Sequence, residues 1–323
     1  MEQDILQVEN LVKHFPMGSS LFSLRSRRFE LRAVDRVSFS IPKGGTLGLV
    51  GESGSGKSTT ARLITRLIEP TSGKIYFQGR EILSLSDRAF RKIRPRIQMV
   101  FQDPYASLNP RLRVRSILGT GLRLHRMVPP AQIRDRVVEL LEMVGLEADH
   151  GDGYPHQFSG GQRQRISIAR AMALEPDLII ADEPVSALDV SVRAQILNLL
   201  RLLQESQGVS YLFIAHDLSV VRHFCDRVAV MYGGKIVEEA SVDELFGSPL
   251  HPYAEVLLSA IPRPESRFNY QPQFLKGEAS SLVQPGQGCV LQDRCSLAEF
   301  RCREGEVAWE EKKPGHWVAC HFR

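Results

Sequence analysis

The stretch Gly51-Glu52-Ser53-Gly54-Ser55-Gly56-Lys57-Ser58, followed by Thr59, has the glycine spacing of a loop that wraps a phosphate group. Glycines at 51, 54 and 56 let successive backbone N–H groups turn inward, toward an anion at the positive end of the next helix. Lys57 then reaches the β- and γ-phosphates of a nucleotide, and the Ser58 hydroxyl is a ligand for Mg2+. A glycine-rich turn that binds nothing is the plain alternative, and the complete G-x-x-x-x-G-K-S pattern between a strand and a helix argues against it. Further along, Asp182-Glu183 closes the apolar run 178–181. Asp182 is suited to hold Mg2+, directly or through water, and Glu183 to polarise an attacking water.

Such residues need a scaffold that gathers strand ends. The apolar run 46–50 leads into the glycine loop, 98–101 ends at Gln102, 178–181 at Asp182-Glu183, and 211–215 at His216. Residues 58–68 read as the helix after the loop. Short apolar runs alternating with helical patterns predict a parallel sheet buried on both faces. Ligands collect outside the carboxyl ends of such strands. A lone Gln or His is commonly an incidental loop residue; four strand ends that each deliver a polar group make a stronger pattern. Gln102 would sense the γ-phosphate or the metal water, and His216 would steady the γ-phosphate and the water held by Glu183.

Ser159-Gly160-Gly161-Gln162 precedes a helical run, 163–173, stopped before Pro176. Ser-x-x-Gln is by itself a capping box, common at helix starts. A cap does not call for two glycines, which leave backbone N–H groups open to an anion. Taken in chain order with Gln162-Arg163-Gln164-Arg165 and Ser186-Ala187-Leu188-Asp189, these elements resemble the ATP-binding subunit of an ABC transporter, from about residue 5 to residue 320.

That resemblance implies an α/β fold of the P-loop NTPase (ABC ATPase) type, with a parallel sheet, a small antiparallel β layer, a helical subdomain and a C-terminal cysteine-containing extension. It implies that Gly51, Ser53, Gly54, Ser55, Gly56, Lys57, Ser58 and Thr59 hold ATP, with Ser58, Asp182 and Gln102 on the Mg2+ side. Glu183, Gln102 and His216 then carry catalysis. Ser159, Gly160, Gly161 and Gln162 are the signature motif, which meets ATP held by another subunit, and Asp189 belongs to the D-loop. Phe158 stands where Leu is commoner. Phe15 lies where the family stacks an aromatic on adenine, with Phe in place of the usual Tyr; a core Phe is the other reading.

Composition narrows the field. The chain has 323 residues, which suits a main domain plus an extension. A net charge of +4 is too mild to imply nucleic-acid binding. No apolar run approaches the roughly 18 residues that span a bilayer, and Met1-Glu2-Gln3-Asp4 lacks the basic start of a secretory signal. The expectation is a peripheral subunit at the cytoplasmic face of a membrane, held there by partners.

The domain expectation is a nucleotide-binding domain at 1–248, with its helical subdomain at about 103–165, and an extension at 249–323. Residues 5–45 and 74–78 alternate as strands, with Val37, Phe39 and Ile41 on one face. The basic stretch 17–32 reads as a solvated loop. Apolar positions Ile133, Val137, Leu140, Leu141 and Val144 predict a helix with one buried face. Cys225 reads as a small core residue. The remaining cysteines, Cys289, Cys295, Cys302 and Cys320, follow a proline-punctuated stretch (Pro252, Pro262, Pro264, Pro272, Pro285) and are better metal than disulfide candidates. Their spacing matches neither a zinc ribbon nor a ferredoxin pattern, so a 4Fe–4S cluster, zinc and free thiols all stay open.

The extension resembles that of peptide-importer ATPases, through Pro249-Leu250-His251-Pro252-Tyr253, 257–262, Gly288-Cys289, Asp293-Arg294-Cys295 and Gly315 to Cys320. In that group the four cysteines can hold a 4Fe–4S cluster. Ser280-Ser281 and its neighbours depart from the proline-rich form of relatives, which loosens the substrate assignment. The resemblance implies an ATPase powering import of di- or oligopeptides, with nickel, glutathione or opines as alternative cargoes. Its implied partners are a second ABC ATPase subunit (a heterodimer partner), two permease subunits and a substrate-binding protein, with no nucleic acid. A chromosome-type ABC ATPase would want a long coiled coil between Lys57 and Ser159, and a P-loop kinase would leave Ser159, Asp189 and His216 without a job.

Overall fold

The computed structural model describes residues 4–17, 29–261, 275 and 288–323. Arg25, Arg27 and Arg28 of the basic stretch, Pro262, Pro264, Pro272 and Pro285, and Ser280-Ser281 lie outside the described residues. In chain order the strands are β1 (Asp4–Met17), β2 (Phe29–Pro42), β3 (Thr46–Val50), β4 (Ser72–Phe77), β5 (Arg80–Glu81), β6 (Ile97–Val100), β7 (Leu178–Asp182), β8 (Ser210–Ala215), β9 (Arg227–Tyr232), β10 (Lys235–Ser241), β11 (Glu310–Lys313) and β12 (His316–Val318). The chain divides into two compact units, one of Met1–Ile5, Ile41–Gly45 and Ser84–Ile214, the other of Leu6–Ser40, Thr46–Leu83 and Ala215–Arg323.

The first unit contains a parallel ladder. β6 pairs with β7 (Ile97 opposite Leu178, Val100 opposite Ala181), and β7 pairs with β8 (Leu178 opposite Ser210, Asp182 opposite Ile214). Every residue of β7 is buried, as a strand covered on both faces must be. Helix Gly160–Met172 lies against β6 and against helices Val114–His125, Ile133–Met143 and Val190–Gln207. Helix Ile133–Met143 buries one face: Val137, Leu140, Leu141 and, just past its end, Val144 are buried, with Ile133 half-buried at its start. The helix after Ser159 begins at Gly160 rather than 163, because Ser159 caps it and the glycines form its first turn.

The second unit holds an antiparallel sheet in the order β2-β1-β4-β5. Its strands are longer than the short runs predicted, and β2 alternates buried Val37 and Phe39 with exposed Arg36 and Ser38. β3 runs parallel to β9, β9 is antiparallel to β10, and β12 joins β10 on its far edge with β11 beyond it. The C-terminal segment thus supplies two strands to the unit that carries the glycine loop. The join is fixed by a buried pair: His316 Nε2 lies 2.7 Å from Glu238 Oε1, and the Glu238 carboxylate also accepts the N–H groups of Leu250 and His251. Burial pushes the Glu238 carboxyl up, and these bonds pull it partly back. Cys225 is buried near Gly48, where a Cβ would collide with Val221 Cγ1 at 2.8 Å and crowd Cys225 Sγ at 3.1 Å.

Candidate active site

In the second unit, β3 delivers the glycine loop. Gly51 has φ 150°, and a Cβ there would sit 2.1 Å from the Met231 carbonyl oxygen. Gly56 has φ 110°, with the Ala33 carbonyl oxygen 2.2 Å from its would-be Cβ. Both positions exclude any side chain by conformation and by space. Helix Lys57–Ile64 starts directly after Gly56 with no side-chain cap at its N-terminus, the end of a helix that favours an anion. It ends earlier than residue 68: the Thr65 hydroxyl bonds back to Ala61 O at 3.0 Å, and Arg66 turns left-handed at φ 52°.

Lys57 is buried. Its Nζ donates to the carbonyls of Gly51 and Glu52, each at 2.8 Å, and approaches Ser55 Oγ at 3.3 Å. The ammonium is therefore held over the loop by the loop's own backbone. Ser55 is buried, Ser58 and Thr59 are half-buried, and Ser53 and Gly54 are exposed. Phe15 is half-exposed rather than a core residue, with Lys13 Nζ 5.0 Å from its ring centroid. His216 is exposed, one residue past β8.

Residues outside the loop also grip it. The Glu52 N–H donates to the Tyr253 hydroxyl at 2.7 Å, and Arg294 forms a two-pronged contact with the Glu52 carboxylate at 2.8 and 3.4 Å. Neither Tyr253 nor Arg294 was predicted as a site residue. The Asp293-Arg294-Cys295 triplet was visible in the sequence, but nothing there marks Glu52 as its partner.

In the first unit, Asp182 ends β7 and is only 5% exposed. Glu183 follows in a left-handed conformation, φ 48°. Its N–H donates to Ile214 O at 3.0 Å, and its carbonyl accepts from Ser186 N–H at 3.3 Å and Ser186 Oγ at 3.1 Å. A non-glycine residue held this way stores about 1–3 kcal/mol and is kept only where its surroundings over-determine it. Gln102 Nε2 donates to Glu183 Oε2 at 2.9 Å, which brings together the ends of β6 and β7.

Ser159 is exposed and completes the capping box: Ser159 N–H donates to Gln162 Oε1 at 3.0 Å, and Gln162 N–H to Ser159 Oγ at 3.3 Å. The two glycines differ. A Cβ at Gly161 would meet Val192 Cγ1 at 2.5 Å, so this glycine serves helix packing. One at Gly160 would make only an ordinary 3.5 Å contact with Leu188. Gly160 is the glycine that packing leaves unexplained. Asp189, exposed, precedes helix Val190–Gln207 without capping it by its side chain.

The tail cysteines fall in one neighbourhood of the second unit. Cys302 is buried, the other three are half-buried, and the Cys289 N–H donates to Cys302 O at 2.8 Å. Burial, with added repulsion from Cys302, Cys320 and Cys295, pushes the Cys289 thiol up to about 11. Burial also raises Cys295 and Cys320, and each feels Cys302. Among the described residues no three of these sulfurs lie within 4.8 Å of one another; the group that does is Glu147, Asp149 and His150.

Comparison with known proteins adds a consistent picture. Residues 34–186 match the ABC transporter family, and residues 237–302 match the oligopeptide/dipeptide transporter C-terminal region. The chain is 50% identical to the oligopeptide transport ATP-binding protein AppF of Bacillus subtilis, over 99% of this chain and 98% of that protein. It is 46% identical to the dipeptide transport ATP-binding protein DppF of Haemophilus influenzae, over 98% and 96%. Among solved structures, the dimeric ATP-binding cassette MJ0796 bound to ADP and Pi superposes with TM-score 0.65 at 32% identity, covering 73% of this chain and 98% of that one.

Proposed function

Since the chain belongs to the ATP-binding subunits of ABC transporters, in their oligopeptide and dipeptide group, we propose that the ATP it hydrolyses drives import of di- and oligopeptides through membrane permeases. The observation that carries this reading is the presence, in one chain, of an ABC transporter region and an oligopeptide/dipeptide transporter C-terminal region. Among the described residues no helix is long and apolar enough to cross a membrane; in this reading the permeation path belongs to permease subunits.

In this reading each site residue has a role. Lys57 neutralises the β- and γ-phosphates, with the backbone N–H groups that follow Gly51 around them. Ser58 and Asp182 would hold Mg2+, which would screen the phosphate charge; a buried carboxylate at a strand end fits that task. Glu183 takes the proton of the attacking water, and Gln102 fixes the orientation of its carboxylate. Ser159 and the N–H of Gly160 reach the nucleotide of a second ATPase subunit, a different chain in a heterodimer, while His216 steadies the γ-phosphate and Phe15 stacks on adenine. Two permease subunits and an extracytoplasmic binding protein complete the assembly.

The test is uptake of labelled di- and tripeptides by cells lacking this chain. Wild type restores uptake and Lys57→Ala does not. Restored uptake of nickel, glutathione or an opine in place of peptides would move the cargo and leave the ATPase. Nucleic acid co-purifying in place of two permeases would overturn transport itself.

For the tail, the four thiols match in number and type the ligand set of a 4Fe–4S cluster, and the interaction of Cys289 with Cys302, Cys320 and Cys295 supports their acting together. Cys289, Cys295, Cys302 and Cys320 would ligate it, and it would tie together a segment that buries little apolar surface. Protein purified without oxygen is then brown, with about four iron and four sulfide per chain; colourless protein with stoichiometric zinc, or no metal, would refute the cluster.

A further inference from the structure

Glu52 lies inside the glycine loop, and the groups that hold it lie outside. Arg294 Nη1 donates to Glu52 Oε2 at 2.8 Å and Nη2 to Oε1 at 3.4 Å. The same guanidinium bonds the Tyr232 hydroxyl at 3.2 Å and lies 5.8 Å from that ring's centroid. Tyr232 in turn packs on Tyr253 at 4.7 Å between centroids, and the buried Tyr253 hydroxyl accepts the Glu52 N–H. Glu52 is thus fixed through both its main chain and its side chain. Its carbonyl is one of the acceptors that hold the Lys57 ammonium.

Arg294 is itself fixed. Its N–H and that of Cys295 share the Leu291 carbonyl, and the Gln292 N–H bonds Cys289 O. This turn starts at one thiol and ends at another. The Arg294 side chain is 11% exposed against 35% for Glu52, so the ion pair is partly withdrawn from water, where a two-pronged charged contact is stronger than at a surface.

We propose that Arg294 is a positioning residue for ATP binding: by clamping Glu52 it holds the phosphate loop in its binding shape, and it makes the cysteine-bearing turn an arm of the nucleotide site. Two effects act in the same direction. The clamp removes freedom the loop would otherwise lose on binding. It also neutralises a carboxylate that would repel the phosphates. The inference rests on the reading of residues 51–58 as the phosphate site; a wild-type chain that binds no MgATP would defeat that reading, while the outcomes below concern the clamp alone.

The experiment is titration of MgATP into the full-length chain, wild type against Arg294→Gln, Arg294→Lys, Glu52→Gln and the double variant Glu52→Gln/Arg294→Gln. Thermal melts confirm folding. Arg294→Gln weakens MgATP binding about tenfold, the size expected for losing a charged pair of hydrogen bonds. Arg294→Lys, which keeps the charge without the fork, recovers part of it. In the Glu52→Gln background, Arg294→Gln changes affinity less than twofold, because its partner is already gone. In the assembled transporter the loss falls on KM for ATP, with kcat at saturating ATP changed less than twofold. Unchanged affinity in a folded Arg294→Gln chain, equal losses in both backgrounds, or a loss confined to kcat would each overturn the clamp.

Discussion

Gln102 donates its side-chain N–H to Glu183 Oε2 across 2.9 Å, joining the residue after β6's run to the residue after β7. The acceptor sits on a left-handed backbone pinned by Ile214 and Ser186. A carboxylate held from below by strained main chain and from the side by an amide has little freedom to wander. That suits a group which must meet one water in one direction.

Glu183→Gln keeps the shape of this arrangement and removes the proton acceptor. We expect MgATP affinity within about threefold of wild type and turnover lower by a factor on the order of 10²–10⁴, with ATP-bound dimers accumulating on size exclusion. Turnover within about threefold of wild type, about 0.65 kcal/mol of barrier, would mean the base is elsewhere.

Gln102→Ala leaves the carboxylate but takes away its lateral support. Because Gln102 is exposed, thermal stability should not move, while steady-state hydrolysis falls roughly tenfold through loss of orientation. A drop in melting temperature without a drop in turnover would assign the contact to folding instead.

Gly51→Ala tests the loop's geometry. Its new Cβ would face the Met231 carbonyl at 2.1 Å, an overlap that backbone must relieve, so we expect a loss of about 2 kcal/mol or more and failed nucleotide binding. Gly54→Ala, with no atom within 4 Å of its Cβ, is the matched control: it carries only the cost of its positive φ, about 1 kcal/mol. Urea denaturation of the two variants should rank them in that order.

His251 gives a pH signature. Its Nδ1 accepts the Tyr253 N–H at 3.1 Å as cap of helix Pro252–Ser259, and burial pushes its pKa down to about 3. The folded chain therefore keeps it neutral where the unfolded chain, near 6.5, takes up a proton. The folded value is depressed, so stability is lost as pH falls below 6.5 toward 3, by about 1–2 kcal/mol between pH 7 and pH 5. Glu238, whose carboxyl is raised, acts oppositely by losing stability as pH climbs above its unfolded value. Subtracting the curve of His251→Asn, which can still cap, isolates the histidine; identical slopes for the two proteins would remove it as the cause.

The phosphate loop, the acidic strand end and the Ser159 cap were legible because each is a short local pattern whose chemistry is carried by neighbours in the chain. Helix ends were less so. Nothing in residues 58–68 announces the left-handed Arg66 that stops the helix at Ile64. Gly161 looked like an opening for an anion, and only its approach to Val192 reveals a packing role. The tail cysteines stood out by type, whereas β11, β12 and the buried Glu238–His316 pair did not, since strand pairing across such separations leaves no periodic trace.

The clamp on Glu52 has a consequence for synthesis. The bonds that hold Lys57 span at most six positions, so they can close as soon as the loop is made. Tyr253 comes 201 positions after Glu52 and Arg294 comes 242 after it. At roughly 5–20 residues per second on the ribosome, the second brace trails the loop by on the order of ten to fifty seconds. A nascent chain therefore displays every glycine of its phosphate loop well before it has the parts that stiffen it, and nucleotide grip arrives late in its making.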